Sequence, residues 1–214
     1  MAVEIARANS ITINNMMIEN LTAAETGNNG IISLGINDQA TINIDQFNVS
    51  DSGLTNTGSF IYIVGSGMGS LMISNLEFDT LILSNEVSLV SFQGLSNSVI
   101  QNALFSKITD FETNDDTNTI IDLRSIYSTE NSNISLNDVT ITYSSVSVFR
   151  ISNIAQTTTI DQQVSITNMT VQHCLFEFSD DILHSGFVQS DGAFLFEFDQ
   201  FFFQQHHFCS LVHA

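Results

Sequence analysis

The sequence predicts an all-β parallel solenoid, in which short strands wind around one core and each coil stacks on the coil before it. Three observations carry that expectation. One six-residue pattern recurs seven times along the 214 residues. Apolar residues around each recurrence alternate with a period of two, which is a strand period and not a helix period. The chain also has no proline, as strands hydrogen-bonded on both edges require.

The recurring pattern is apolar, polar, amide or acid, apolar, any residue, apolar. Its first three copies are Ile13 to Ile18, Ile44 to Val49 and Ile73 to Phe78. The next four are Ile100 to Phe105, Leu136 to Ile141, Ile166 to Val171 and Phe198 to Phe203. The third position of each copy is an anchor: Asn15, Gln46, Asn75, Asn102, Asp138, Asn168 and Gln200. Successive anchors are 31, 29, 27, 36, 30 and 32 residues apart, so about seven coils of roughly 30 residues each are expected.

Within a coil, the first strand ends at the anchor and the second starts there with its inward phase reset. Two residues ahead of each first apolar position stands another, as at Ile11, Ile42, Leu71, Ile134, Val164 and Phe196, with Ser98 the exception. An extra residue at a corner flips side-chain parity in this way. The anchors therefore read as a corner ladder, a buried bend whose stacked amides bond from coil to coil. Asn also tolerates left-handed backbone geometry. A third strand fills most coils, at Ile31 to Leu34, Phe60 to Ile63, Leu89 to Phe92, Ile120 to Leu123 and Val148 to Ile151. Three short strands per coil follow, with loops such as Asp110 to Thr119 and Ser179 to Gly186 projecting outward.

Three strands per coil and an asparagine corner resemble the right-handed parallel β-helix of the pectin-lyase-like superfamily. They are also similar to the β-helical repeats of adhesin-like surface proteins. The resemblance covers the whole chain, read as a single domain over 1–214. It implies a fold and no one activity, since the superfamily includes lyases, hydrolases, adhesins and spacers.

Charge narrows the function. Four Lys+Arg stand against 23 Asp+Glu, a formal net charge of −19, and so few cations cannot neutralise a run of phosphates. Nucleic acid is therefore excluded as a partner. No uninterrupted apolar run reaches the ~20 residues of a membrane span. The start of the chain lacks a basic region followed by an apolar core, so no signal peptide is expected there.

Candidate chemistry is sparse. The resemblance to the lyases implies acidic residues holding calcium and a basic residue that removes a proton, yet the cations are only Arg7, Lys107, Arg124 and Arg150. Tyr62, Ser91, Asp122 and Arg150 share one outward column of the third strand. They read as a glycan-binding groove, or, at Asp122 and Arg150, as a structural ion pair. Resemblance to the hydrolases implies facing carboxylates. Asp115-Asp116 and Asp180-Asp181, the latter followed by His184-Ser185-Gly186, are paired acids placed in loops, and the basic motif expected to follow is missing. No catalytic residue is assigned.

No cofactor is expected. Loop aspartates could gather calcium, but the nonapeptide repeat that marks calcium β-rolls is missing. His206-His207 point to opposite faces of a strand and do not chelate together. Cys174 and Cys209 fit either one disulfide or two buried thiols. Asn20, Asn48 and Asn133 are N-glycosylation acceptors, Asn20 and Asn48 placed where the chain leaves for a loop. Asn168 also fits the acceptor pattern but is expected to be buried as an anchor.

Neither end carries a polar cap, so the chain reads as an excerpt of a longer solenoid or a subunit stacked end to end on itself. The leading expectation is a non-enzymatic structural or adhesive segment of an extracellular or cell-surface protein or filament. Its partners would be further coils, copies of itself, or glycans. A carbohydrate-active enzyme and an intracellular scaffold are the alternatives.

Overall fold

A computed structural model of the chain describes residues 3–23, 30–55, 58–85, 87–110, 118–125, 132–153, 162–174, 188–191 and 195–204. The strands are β1 (Val3–Glu19), β2 (Thr22–Ala23), β3 (Gly30–Thr55), β4 (Gly58–Ser84), β5 (Val87–Asp110) and β6 (Thr119–Ser125). They continue as β7 (Ser132–Thr142), β8 (Ser147–Asn153), β9 (Gln162–Gln172), β10 (Val188–Asp191) and β11 (Leu195–Gln204). Among the described residues there is no helix, and every strand pairing is parallel. The chain is a parallel β-solenoid.

Strands β3, β4 and β5 run for 26, 27 and 24 residues, several times the usual length. They reach it by folding around the core at corners. At the first corner the register passes over one residue per coil: Asn14 pairs with Asp45 and Met16 with Phe47, leaving Asn15 and Gln46 between the pairs. Asn15, Gln46, Asn75, Asn102, Asp138 and Asn168 all have φ between 54° and 55°, the left-handed region that Asn adopts more readily than most residues. One left-handed residue turns the chain and resets parity. Ile44 and Phe47 therefore both point inward, at 1% and 0% exposure. Gln200 lies at the same place in β11, between Asp199, which pairs with Thr167, and Phe201, which pairs with Met169.

Five residues beyond each of the first six anchors a second left-handed corner occurs, at Asn20, Asp51, Thr80, Lys107, Tyr143 and His173, with φ from 48° to 57°. Beyond the first four of these corners the chain does not leave for a loop. It forms another ladder, in which Thr22 pairs with Gly53 and Ser52 with Leu81, and Leu81 in turn with Ile108. The coil therefore has four strand segments where three were expected. Asn20 is a corner residue, and Asn48 lies within the strand between the two corners.

The second corner interrupts the backbone ladder, and inward side chains repair it. Ser52 Oγ donates to Ser50 O at 2.7 Å and accepts from Leu21 N at 3.0 Å. Ser144 Oγ donates to Thr142 O at 3.1 Å and accepts from Ile108 N at 3.3 Å. Cys174 occupies the equivalent slot and donates from Sγ to Gln172 O at 3.3 Å. Each satisfies backbone groups that burial would otherwise leave unpaired.

Between the third and first segments the chain turns through Gly65 and Gly94. Gly94 has φ +66°, and a Cβ there would collide with the Gly65 carbonyl of the coil below. The core is the stack of inward columns, filled by Ile, Leu, Val and Phe. Phe78 centres it, stacked on Phe105 at 5.8 Å and edge-on to Phe60 at 5.8 Å. Ser98 interrupts an otherwise apolar column and is buried with no hydrogen-bond partner for its Oγ.

About four turns are complete among the described residues, fewer than the seven expected from the anchors. A turn needs all its sides, and that holds through β5. The later units contribute separate strands: β6 and β7 pair with β5, β8 with β6, β9 with β7, β10 with β8 and β11 with β9. A second correction concerns the ladder. The first six anchors are exposed rather than buried, because the left-handed residue directs its own side chain outward while the residue after it turns in.

If backbone geometry is the anchor's main role, Asn102→Ala should lower unfolding free energy by about 1–2 kcal/mol. Asn102→Gly, which keeps the left-handed conformation without the amide, should cost clearly less. Urea titration followed by circular dichroism measures both. Equal losses would place the contribution in the amide bonds.

Candidate functional site

The exposed anchors form one wall of an open groove of about 560 Å³. Asn15, Gln46, Asn75 and Asn102 line that wall, one from each successive coil. The floor and far side come from the strand after the corner, whose outward positions bring Met17, Asn48, Glu77 and Leu104 into line. Met17 is 64% exposed. Among the described residues of the lining, Glu77 is the one with a formal charge.

Bonds between coils tie Asn75 and Asn102 into the row. Asn75 Nδ2 donates to Asp45 Oδ1 at 2.7 Å, and Ser74 Oγ donates to the same oxygen at 2.8 Å. Asn102 Nδ2 reaches Asn75 Oδ1 at 3.5 Å. Higher on the ladder, Asn168 Nδ2 donates to Asp138 Oδ1. The Asn75 and Ser74 bonds hold the Asp45 carboxyl below its ordinary value of 3.8. Asp79, beside the second corner, is also lowered. Burial pushes it up, but hydrogen bonds from Thr80, Ser106 and Lys107 and the Lys107 charge outweigh that. Its ion pair with Lys107 spans 3.3 Å at the surface, where such pairs contribute little.

The structure brings Tyr62, Ser91, Asp122 and Arg150 into one column, as expected: Tyr62 pairs with Ser91, Ser91 with Asp122 and Asp122 with Arg150. Tyr62 and Arg150, at its two ends, are half-buried. Ser91 is 2% exposed and Asp122 is fully buried, so a sugar does not reach the middle of that column. On this side of the coil both strand phases are covered, as Ser88, Leu89, Val90 and Ser91 illustrate. Outward parity alone does not reveal such a layer.

The acceptor asparagines separate by environment. Asn20 and Asn133 are exposed, the first at a corner and the second in β7. Asn48 is half-buried in mid-strand, between Met17 and Glu77 of the neighbouring coils. Asn168 is exposed, against the expectation. Cys174 is a free buried thiol, and burial raises its pKa. Cys209, the acid pairs at 115–116 and 180–181, and the histidines at 184, 206, 207 and 213 lie outside the described residues. Among the described residues, no group of three or more His, Cys, Asp or Glu is placed to hold a metal ion. No helix among them is long and apolar enough to cross a membrane.

No protein-family model, curated protein or solved structure matches this chain. What holds is the coarser statement, a parallel β-solenoid built from repeats. The amide groove and the second corner were not anticipated. The second corner has no preferred residue type, although its fixed distance of five from the anchor was there to be read.

Asp45 and Asp79 both ionise more readily in the folded chain. Their contribution to stability is present above the unfolded carboxylate value and is lost as pH falls through the lower folded values. The urea midpoint should therefore decline below about pH 4, and less steeply in Asp45→Asn/Asp79→Asn. An identical acid limb in that variant would show that these two carboxylates are not responsible.

Proposed function

We propose that the chain is a non-enzymatic structural or adhesive segment of an extracellular or cell-surface protein, acting through the outer face of a stiff solenoid. The observation that carries this reading is the register of the strand segments on either side of the first corner, which holds from coil to coil. Residues on one outward column stand in line from coil to coil, as Thr12, Asn43, Met72, Val99, Ser135 and Ser165 do. Such a surface suits repetitive partners, whether glycans, further coils or copies of the same chain. Membership of the adhesin-like β-helices or of the wider pectin-lyase-like superfamily belongs to this proposal. It is supported by the corner ladder and by the parallel coils.

A surface location is supported by Asn20 and Asn133, two exposed acceptors on a rigid frame. The reading requires no cofactor. Acidity also favours it over a polyuronate-cleaving enzyme, since a chain of net charge −19 repels acidic sugars.

Two measurements on chain secreted from eukaryotic cells test the proposal together. Peptide mass spectrometry should find glycan on Asn20 or Asn133, and incubation with polygalacturonate and with neutral polysaccharides should release no products. Steady release of unsaturated or reducing ends would replace the structural reading with the enzymatic one. Unmodified acceptors after passage through the secretory route would remove the support for a surface location.

A further inference from the structure

The groove along the first corner has a chemistry of its own. Asn15, Gln46, Asn75 and Asn102 present four carboxamides on successive coils, at the ~4.8 Å spacing of parallel strands. Asn48 adds a fifth amide on the opposite side. A primary amide both donates and accepts, with up to four bonds available. The ladder bonds described above use two at Asn75 and one at Asn102. Met17 and Leu104 supply apolar surface at the two ends of the row.

We infer that this groove binds a neutral, hydroxyl-rich polysaccharide laid along the solenoid axis. Hydroxyl groups, like amides, donate and accept in the same site, and the C–H faces of sugar rings suit Met17 and Leu104. Among the described residues no Lys or Arg lines the groove to receive a carboxylate or sulfate, and Glu77 repels one. The four anchors of the row share φ values of 54° to 55°, which sets their backbone before a ligand arrives, and ladder bonds hold the Asn75 and Asn102 amides, so less ordering cost remains to be met on binding. A ladder with one amide per coil fits a ligand that also repeats. The inference rests on the adhesive reading of the chain and names the ligand class for it.

Bacterially produced chain, whose Asn48 carries no glycan, is the material for the test. Titration calorimetry with neutral β-linked gluco-, manno- and xylo-oligosaccharides should detect binding of at least one series. Asn75→Gly/Asn102→Gly keeps the corner conformation and deletes two amides, and should weaken that binding by about ten-fold or more. Asn168→Gly makes the same change on the ladder outside the groove and should leave it unchanged. Melting curves of all three proteins confirm folding.

Binding that survives in the double variant overturns the groove while leaving an adhesive chain. Preference for polyuronate over every neutral series overturns the ligand class. Absence of binding to any neutral series overturns the inference, and the glycan and turnover measurements above then decide separately whether the structural reading stands. Self-association that the double variant abolishes would assign the groove to a second copy of the chain instead.

Discussion

Everything in this molecule depends on single residues per coil that hold the left-handed backbone region at fixed places. A strand alternates inward and outward, so a bend made without a change of parity would turn the next apolar residue out to water. One left-handed residue makes the bend and resets the phase together. Because the first six anchors share the same φ, each coil leaves the corner in the same direction and the ladders stay in register. Core columns, exposed amides and groove all follow from that repetition.

The conformation costs a non-glycine residue roughly 1–2 kcal/mol, and the two corners offset it differently. At the first, Asn predominates, and the amides gain bonds along the ladder. At the second, residue type varies from Asn20 to Tyr143, and support comes both from neighbours of the corner residue and from contacts between corners. Ser52, Ser144 and Cys174 bond the interrupted backbone from within. Tyr143 and His173 stack their rings at 4.9 Å on the surface. Position is conserved through the coils there, while chemistry is not.

That difference explains what could be read in advance. The first corner was legible because geometry and side chain agree: Asn favours the conformation, so the letter repeats. The second was hidden because tertiary contacts override propensity at Thr80, Lys107 and Tyr143, and no letter recurs. The fourth strand segment was hidden with it. The column from Tyr62 to Arg150 was placed correctly by alternation, whereas the burial of its middle, Ser91 and Asp122, depends on packing across coils that parity does not encode. The exposure of the first six anchors was hidden for a related reason. An amide at a bend suggests an interior bond, but the left-handed residue carries its side chain outward, and that places an amide row at the surface where a ligand can meet it.

The central claim is the register, and distance along one column tests it most directly. Thr12 and Ser165 are joined by five successive parallel pairings through Asn43, Met72, Val99 and Ser135. Spin labels on cysteines introduced at 12 and 165, with the native cysteines replaced by serine, should give one narrow distance near 24 Å by pulsed electron resonance. A broad distribution, or a distance well away from that value, would contradict a solenoid whose corners repeat.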